Sequence, residues 1–326
     1  MRVTENTNFN IVRDSINRTK GKMEDLQMQA ATQKKLNAPG DDPAGAARVL
    51  EVRTDKMNND QFQVNGRMAE TFLNHSDHVL SELSEIILRA KEIAISQSSA
   101  ASATSESRLG VAEEVSQLYQ QAIGLANKKI GDRFIFGGFK IDQAPVDSDG
   151  RYQGDDGQAM VEISRDVFVG MNVPGIEVFN TNPQGSEDGR QLYGVSEGNR
   201  ALTSDGLEIP QNFSDNSNVF DEIQALRISL LTSDIEGTRN TLDRLDRLYN
   251  HVVSTRSKIG SRVNGIQNTF QALERHNLTN SQMSSNIEDA DMVQVMSDLN
   301  KEETVFRNAL SSSRRLIQPT LMDFLK

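Results

Sequence analysis

The sequence predicts a mainly α protein: a long antiparallel, coiled-coil-like bundle formed by its N- and C-terminal regions, with a small β-rich domain inserted in the middle. Three observations predict it. Apolar residues recur every three or four positions through both terminal regions, the spacing of helical seams. No proline occurs between Pro43 and Pro145 or between Pro210 and Pro319, so both regions lack the strongest helix breaker. Turn dipeptides and short β-branched runs gather in the middle instead.

The first helix carries Phe9, Val12, Ile16, Thr19, Met23, Leu26 and Ala30 at that spacing. It stops at residues 37–45, where Pro39-Gly40 signals a turn. Asp42 is placed to cap the next helix, with Pro43 at its first position. The second helix runs through Leu50, Met57, Val64, Met68, Phe72, Val79, Leu83, Ile86, Ala90 and Ile93, up to a serine-rich interruption at 96–107. A third follows with Val111, Val115, Leu118, Ala122 and Leu125. In the middle, Asp149-Gly150 and Asp156-Gly157 read as hairpin turns. Residues 160–163 and 167–169 read as strands separated by Ser-Arg-Asp. The return arm, one helix from about Phe220 to about His276, keeps its seam through Leu242, Leu245, Tyr249, Val252, Ile259, Val263, Ile266, Phe270 and Leu273, with a polar break at Arg256. A last helix sets Met292, Val295, Leu299, Phe306, Leu310, Ile317 and Phe324 on one face. The expected division is therefore 1–40 and 283–326 as a terminal coiled-coil domain, 41–138 and 219–282 as two arms of a helical rod, and 139–218 as the β-rich domain.

Composition excludes several function classes. A net charge of −11 without a Lys/Arg cluster argues against nucleic acid. With no cysteine, disulfides and thiolate metal sites are ruled out. No run approaches the roughly 20 apolar residues that span a bilayer. The first residues lack the charged start and apolar run of a cleaved signal, so export, if it occurs, uses another route. His75 and His78 are spaced to share a metal but have no third ligand pattern, and read as solvated. The acidic run 147–150 lacks the glycine and closing glutamate of a calcium loop, and reads as a turn. Gly137-Gly138 has neither a Walker lysine nor dinucleotide spacing. No catalytic, cofactor-binding or metal site is expected, and no enzymatic activity.

The terminal helices carry the functional expectation. Paired only with each other, they leave apolar stripes in water, and such stripes mark interaction surfaces. The expected subunit-assembly interface is Phe9, Val12, Ile16, Met23, Leu26, Leu299, Phe306, Leu310, Ile317 and Phe324. These helices should find their full partners in neighbouring subunits and be poorly ordered in the free monomer.

Residues 37–47, Asn37 to Ala47, resemble the loop between the first two helices of the bacterial flagellin superfamily. Residues 287–291 (Ile-Glu-Asp-Ala-Asp) resemble that family's marker at the start of its last helix. Within the superfamily, the glycine-aromatic segment 131–140 and the ending 319–326 are similar to hook–filament junction members, while 287–291 is closer to flagellin, the alternative. The resemblance implies a structural ring subunit between hook-associated protein 1 and flagellin, which self-associates and lies outside the cell in the flagellum. It implies export through the flagellar type III apparatus without signal cleavage, and a chaperone holding the C-terminal helix beforehand. It also implies terminal helices lining an inner tube, arms forming an outer ring and a β insert facing outward.

Overall fold

In a computed structural model, residues 5–98, 105–181, 200–202, 208–210 and 218–317 are described. Their elements run α1 (Glu5–Thr32), α2 (Pro43–Gln97), α3 (Ser105–Ala126), β1 (Lys129–Ile130), β2 (Arg133–Phe134), β3 (Met160–Ser164), β4 (Val167–Gly170), α4 (Gly175–Phe179), β5 (Arg200–Leu202), β6 (Glu208–Pro210), α5 (Val219–Leu231), α6 (Ile235–Glu288) and α7 (Met292–Ile317). Long helices at both ends of the sequence with small two-stranded sheets between them are the fold class expected. The chain divides into two compact units, Met1–Asp60 with Glu274–Lys326, and Gln61–Leu273.

In the Gln61–Leu273 unit, α2 and α6 run antiparallel. Lys91 pairs with Asp246, Asp77 with Arg256 at 2.9 Å, and Glu70 accepts from Gln267 at 2.9 Å, so numbers fall along one helix as they rise along the other. Arg256, the polar break in the seam, is thus held by a carboxylate across the interface. The core joins Leu73, Leu80, Leu83 and Ile87 of α2, Val115 and Ala122 of α3, Ile223 and Leu226 of α5, and Leu245, Val252, Ile259 and Ile266 of α6. α3 packs on α5.

The α2 seam differs from its sequence reading. Leu50 and Met57 in one unit, and Val64 and Met68 in the other, are exposed. The buried turns instead carry Val49, Val52, Gly66, Ala69, Leu73 and Ser76. Small residues fill this seam because the helices approach closely: a Cβ on Gly66 would lie 2.5 Å from the Phe270 ring. A hydropathy pattern passes over such positions in favour of larger apolar neighbours. The return arm also differs, since it is two helices. Thr232-Ser233-Asp234 turns the chain with Ser233 at φ 56, and the Asp234 carboxylate caps α6 by accepting from Gly237 N at 2.9 Å.

The described residues of the middle segment form hairpins, and some of them pack into the helical core. β3 and β4 pair antiparallel across Arg165-Asp166, as the Ser-Arg-Asp spacer predicts. Phe136, Tyr152, Ile163, Phe179 and Phe220 join the same buried cluster as the helices. The Asp149-Gly150 turn forms, closed by a Val146–Tyr152 bridge, with Gly150 at φ 80. Asp156-Gly157 makes no hairpin. Its glycine is needed because the Phe139 ring lies against it, 2.2 Å from where a Cβ would sit.

The glycine-aromatic segment 131–140 is a hairpin followed by a tight turn. β1 pairs with β2 around Gly131, and Ile135 and Phe136 then enter the core. The Tyr152 hydroxyl lies 2.7 Å from Phe136 O and 2.9 Å from Asp155 O, and accepts from Gly175 N at 3.2 Å. Gly138 has φ 72, and a Cβ there would lie 2.6 Å from the Asp155 carbonyl oxygen. Left-handed strain and overlap with backbone add, so Gly138→Ala is expected to destabilise this unit by roughly 2–4 kcal/mol. The urea midpoint of the variant measures this. Gly124→Ala, whose Cβ meets open space on α3, should be neutral or mildly stabilising.

In the other unit, α1 packs on α7, and the first part of α2 runs antiparallel to the last part of α6. Asn59 donates to Asn277 at 2.9 Å and Arg53 to Glu288 at 2.6 Å.

Candidate functional site

The α1–α7 pair is the strongest candidate for an interaction surface. Its members bury little in each other. On α1 only Thr19 is buried, its hydroxyl donating back to Ser15 O at 3.1 Å, and on α7 only Val295 is buried among the side chains described. Of the expected interface residues, Val12, Ile16, Met23, Leu26, Leu299 and Phe306 are half-buried, and Leu310 is exposed. Phe9 and Ile317 lie in α1 and α7 with side chains outside the described residues, as does all of Phe324. The structure therefore brings the central members of the expected set onto one helix pair. It adds exposed apolar residues beside them that the seam reading omitted: Ile11, Met28, Val293, Met296 and Val305. These lie off the strict three-four alternation, and only an exposed-face reading of the same helices would have found them.

The base of the pair is closed by a clasp that sequence reasoning missed. The chain leaves α1 through Gln33, at φ 58, and meets the α6–α7 break. Lys35 N donates to Glu288 O at 2.7 Å and Ala290 N to Gln33 O at 3.1 Å. The Glu288 side chain is buried, yet Lys34 Nζ donates to one oxygen at 2.7 Å and Arg53 Nη2 to the other at 2.6 Å. Burial alone would raise this carboxyl, but the two cations hold it below its ordinary 4.5. The loop itself is tied by Asp41, which accepts from Asn37 N and Ala38 N at 3.0 and 2.8 Å. Asp42 caps α2 through Ala44 N and Gly45 N, as its position before Pro43 predicts. Residues 287–291 straddle the break rather than opening the last helix: Ile287 and Glu288 end α6, and Asp291 caps α7 by accepting from Val293 N at 2.9 Å.

Other sequence candidates stay apart from this surface. Among the described residues no group of three His, Asp or Glu side chains could hold a metal. His75 is exposed and His78 faces Glu82 at 3.1 Å. Asp147 accepts from Asp149 N and Arg151 N, the hydrogen bonding of a turn. Among the described residues no helix is long and apolar enough to cross a membrane.

Comparison with known proteins matches both ends of the chain. Residues 3–138 match the bacterial flagellin N-terminal helical region and residues 242–325 the bacterial flagellin C-terminal helical region, together more than half the chain. The chain is 23% identical over 293 residues to flagellar hook-associated protein 3 of Escherichia coli, covering 86% of this chain and 85% of that one. It is 22% identical over 290 residues to flagellin of Listeria monocytogenes, covering 89% and 86%. Its fold is similar to that of the flagellar junction protein FlgL from Legionella pneumophila, with a TM-score of 0.55 at 19% identity, over 74% of this chain and 100% of that one. The paired helical regions that open and close this sequence are those of one family, and the chain belongs to the bacterial flagellin family.

Proposed function

We propose that this chain is a structural subunit of the bacterial flagellum that forms the junction between hook and filament, an adaptor ring between hook-associated protein 1 and flagellin. The observation that carries the reading is a helix pair, α1 with α7, that leaves Ile11, Met28, Val293, Met296, Val305 and Leu310 exposed. An apolar surface of this kind is completed by neighbouring subunits. Likeness to hook-associated protein 3 over most of both chains supports the junction as the place of assembly. The glycine-aromatic turn of residues 131–140 supports it as well. The expected interface is the set named above, from Phe9 to Leu26 and from Leu299 to Phe324. Before export through the type III apparatus, without signal cleavage, a chaperone covers the α7 stripe.

A deletion strain tests the proposal. It should secrete flagellin that fails to attach, and this chain supplied in trans should restore filaments. Loss of the filament subunit itself would support the second reading, flagellin, which the likeness to the Listeria monocytogenes protein favours. Purified chain that grows long filaments on seeds would support that reading too, whereas a junction subunit stops at an oligomer. Amide exchange of residues 5–33 in dilute monomer should be fast, since these helices are completed only by neighbours. Uniform strong protection there would overturn that part.

A further inference from the structure

The chain has eleven methionines and neither cysteine nor tryptophan, so thioethers are its most readily oxidised side chains. Their burial is uneven. Met171 is 7% exposed in the core of the Gln61–Leu273 unit. Met28 on α1 is 53% exposed and Met296 on α7 is 47% exposed. Lys22 and Glu302, 3.7 Å apart, fix the register of the antiparallel α1–α7 pair. Equal steps from Lys22 and back from Glu302 arrive at Met28 and Met296, which therefore lie at one level of the pair. Both are long apolar side chains that the α1–α7 pair leaves exposed.

We propose that Met28 and Met296 form an oxidation site that controls subunit association, a reading that rests on the α1–α7 pair being the assembly surface. A peroxide transfers one oxygen atom to each thioether. The O–O bond breaks, an S–O bond forms, sulfur is oxidised by two electrons and the peroxide is reduced to water or an alcohol. Each product sulfoxide is a strong hydrogen-bond acceptor, and association would have to strip its water without supplying a partner. Oxidation thus turns an apolar contact into an unfavourable one while leaving the buried core intact.

The full-length chain, treated with graded hydrogen peroxide, tests this. Peptide mass spectrometry follows each methionine, and cross-linking and attachment to hooks of a deletion strain follow association. Met28 and Met296 should oxidise at least about tenfold faster than Met171, as their exposure dictates. Association should fall about tenfold or more as both sulfoxides form. In M28L/M296L, association measured against that variant's own untreated level should survive the same treatment although exposed Met57, Met68, Met160 and Met283 still oxidise. Undiminished association with both sulfoxides formed would overturn the proposal. An equal loss in M28L/M296L would overturn it too, by placing the sensitive thioether elsewhere. If Phe306→Asp chain still assembles, the assembly surface itself is wrong. If that variant fails while oxidised wild-type chain assembles, only the oxidation site is wrong.

Discussion

Leu310→Asp and Phe306→Asp will each give a chain that keeps its middle unit folded but no longer joins a flagellum. Leu310 is 41% exposed and Phe306 half-buried on the same α7 stripe. An aspartate at a desolvated contact removes apolar burial and adds a carboxylate that must lose water. A central interface residue of this kind is worth roughly 2 kcal/mol or more, about a thirtyfold loss per contact. In the proposed ring every subunit would present that contact, so the losses would multiply. The two variants separate assembly from folding. Phe306→Asp also loosens α7 from α1, whereas Leu310→Asp changes a more exposed side chain and should leave the pair formed. Circular dichroism should therefore stay near wild type for Leu310→Asp, while flagellin appears unattached in the medium and cells stop swimming. Normal filament growth in the Leu310→Asp strain would exclude this stripe as the assembly surface.

What the sequence made legible follows from where large apolar residues and burial coincide. On α6, Leu245, Val252, Ile259, Ile266 and Leu273 repeat at seam spacing and are all buried. The caps made by Asp42 and the β3–β4 turn were legible because local chemistry decides them. The α2 seam was not, because helices that approach closely need Gly66, Ala69 and Ser76, and hydropathy gives these little weight. The turn at Ser233 has no glycine or proline to announce it. The apolar stripes of α1 and α7 were legible from their spacing, and among the described side chains only Thr19 and Val295 of the two helices are buried. Met28 and Met296 lie off those stripes, and only the register of the pair sets them at one level. The clasp joins Lys34, Arg53 and Glu288, residues too far apart in sequence for any local pattern to link them.

Removing the cations of that clasp will destabilise its unit more than removing the anion. Glu288 is 5% exposed, while the Lys34 and Arg53 side chains keep 42% and 54% of their surface. In Glu288→Gln the two cations turn to water, so the loss is modest, about 1–2 kcal/mol for the charged hydrogen bonds. In K34M/R53M the carboxylate stays buried without a counter-charge, an imbalance costing roughly 3–5 kcal/mol. Adding Glu288→Gln to that double variant should therefore restore stability, the reverse of additive damage. The pH dependence changes sign as well. In the wild type the folded Glu288 carboxyl lies below its ordinary 4.5, so the clasp stabilises fully above that value and weakens as pH falls through the lower folded one. In K34M/R53M burial acts alone and raises the carboxyl, so folding takes up a proton and stability recovers as pH falls from neutrality towards 4.5. Amide exchange at Lys35 and Ala290, whose N–H groups bridge the two sides of the clasp, reads both effects. At neutral pH, K34M/R53M should exchange there about a hundredfold faster, with recovery in mild acid. Slower exchange in K34M/R53M than in Glu288→Gln would mean that the buried carboxylate finds its compensation elsewhere.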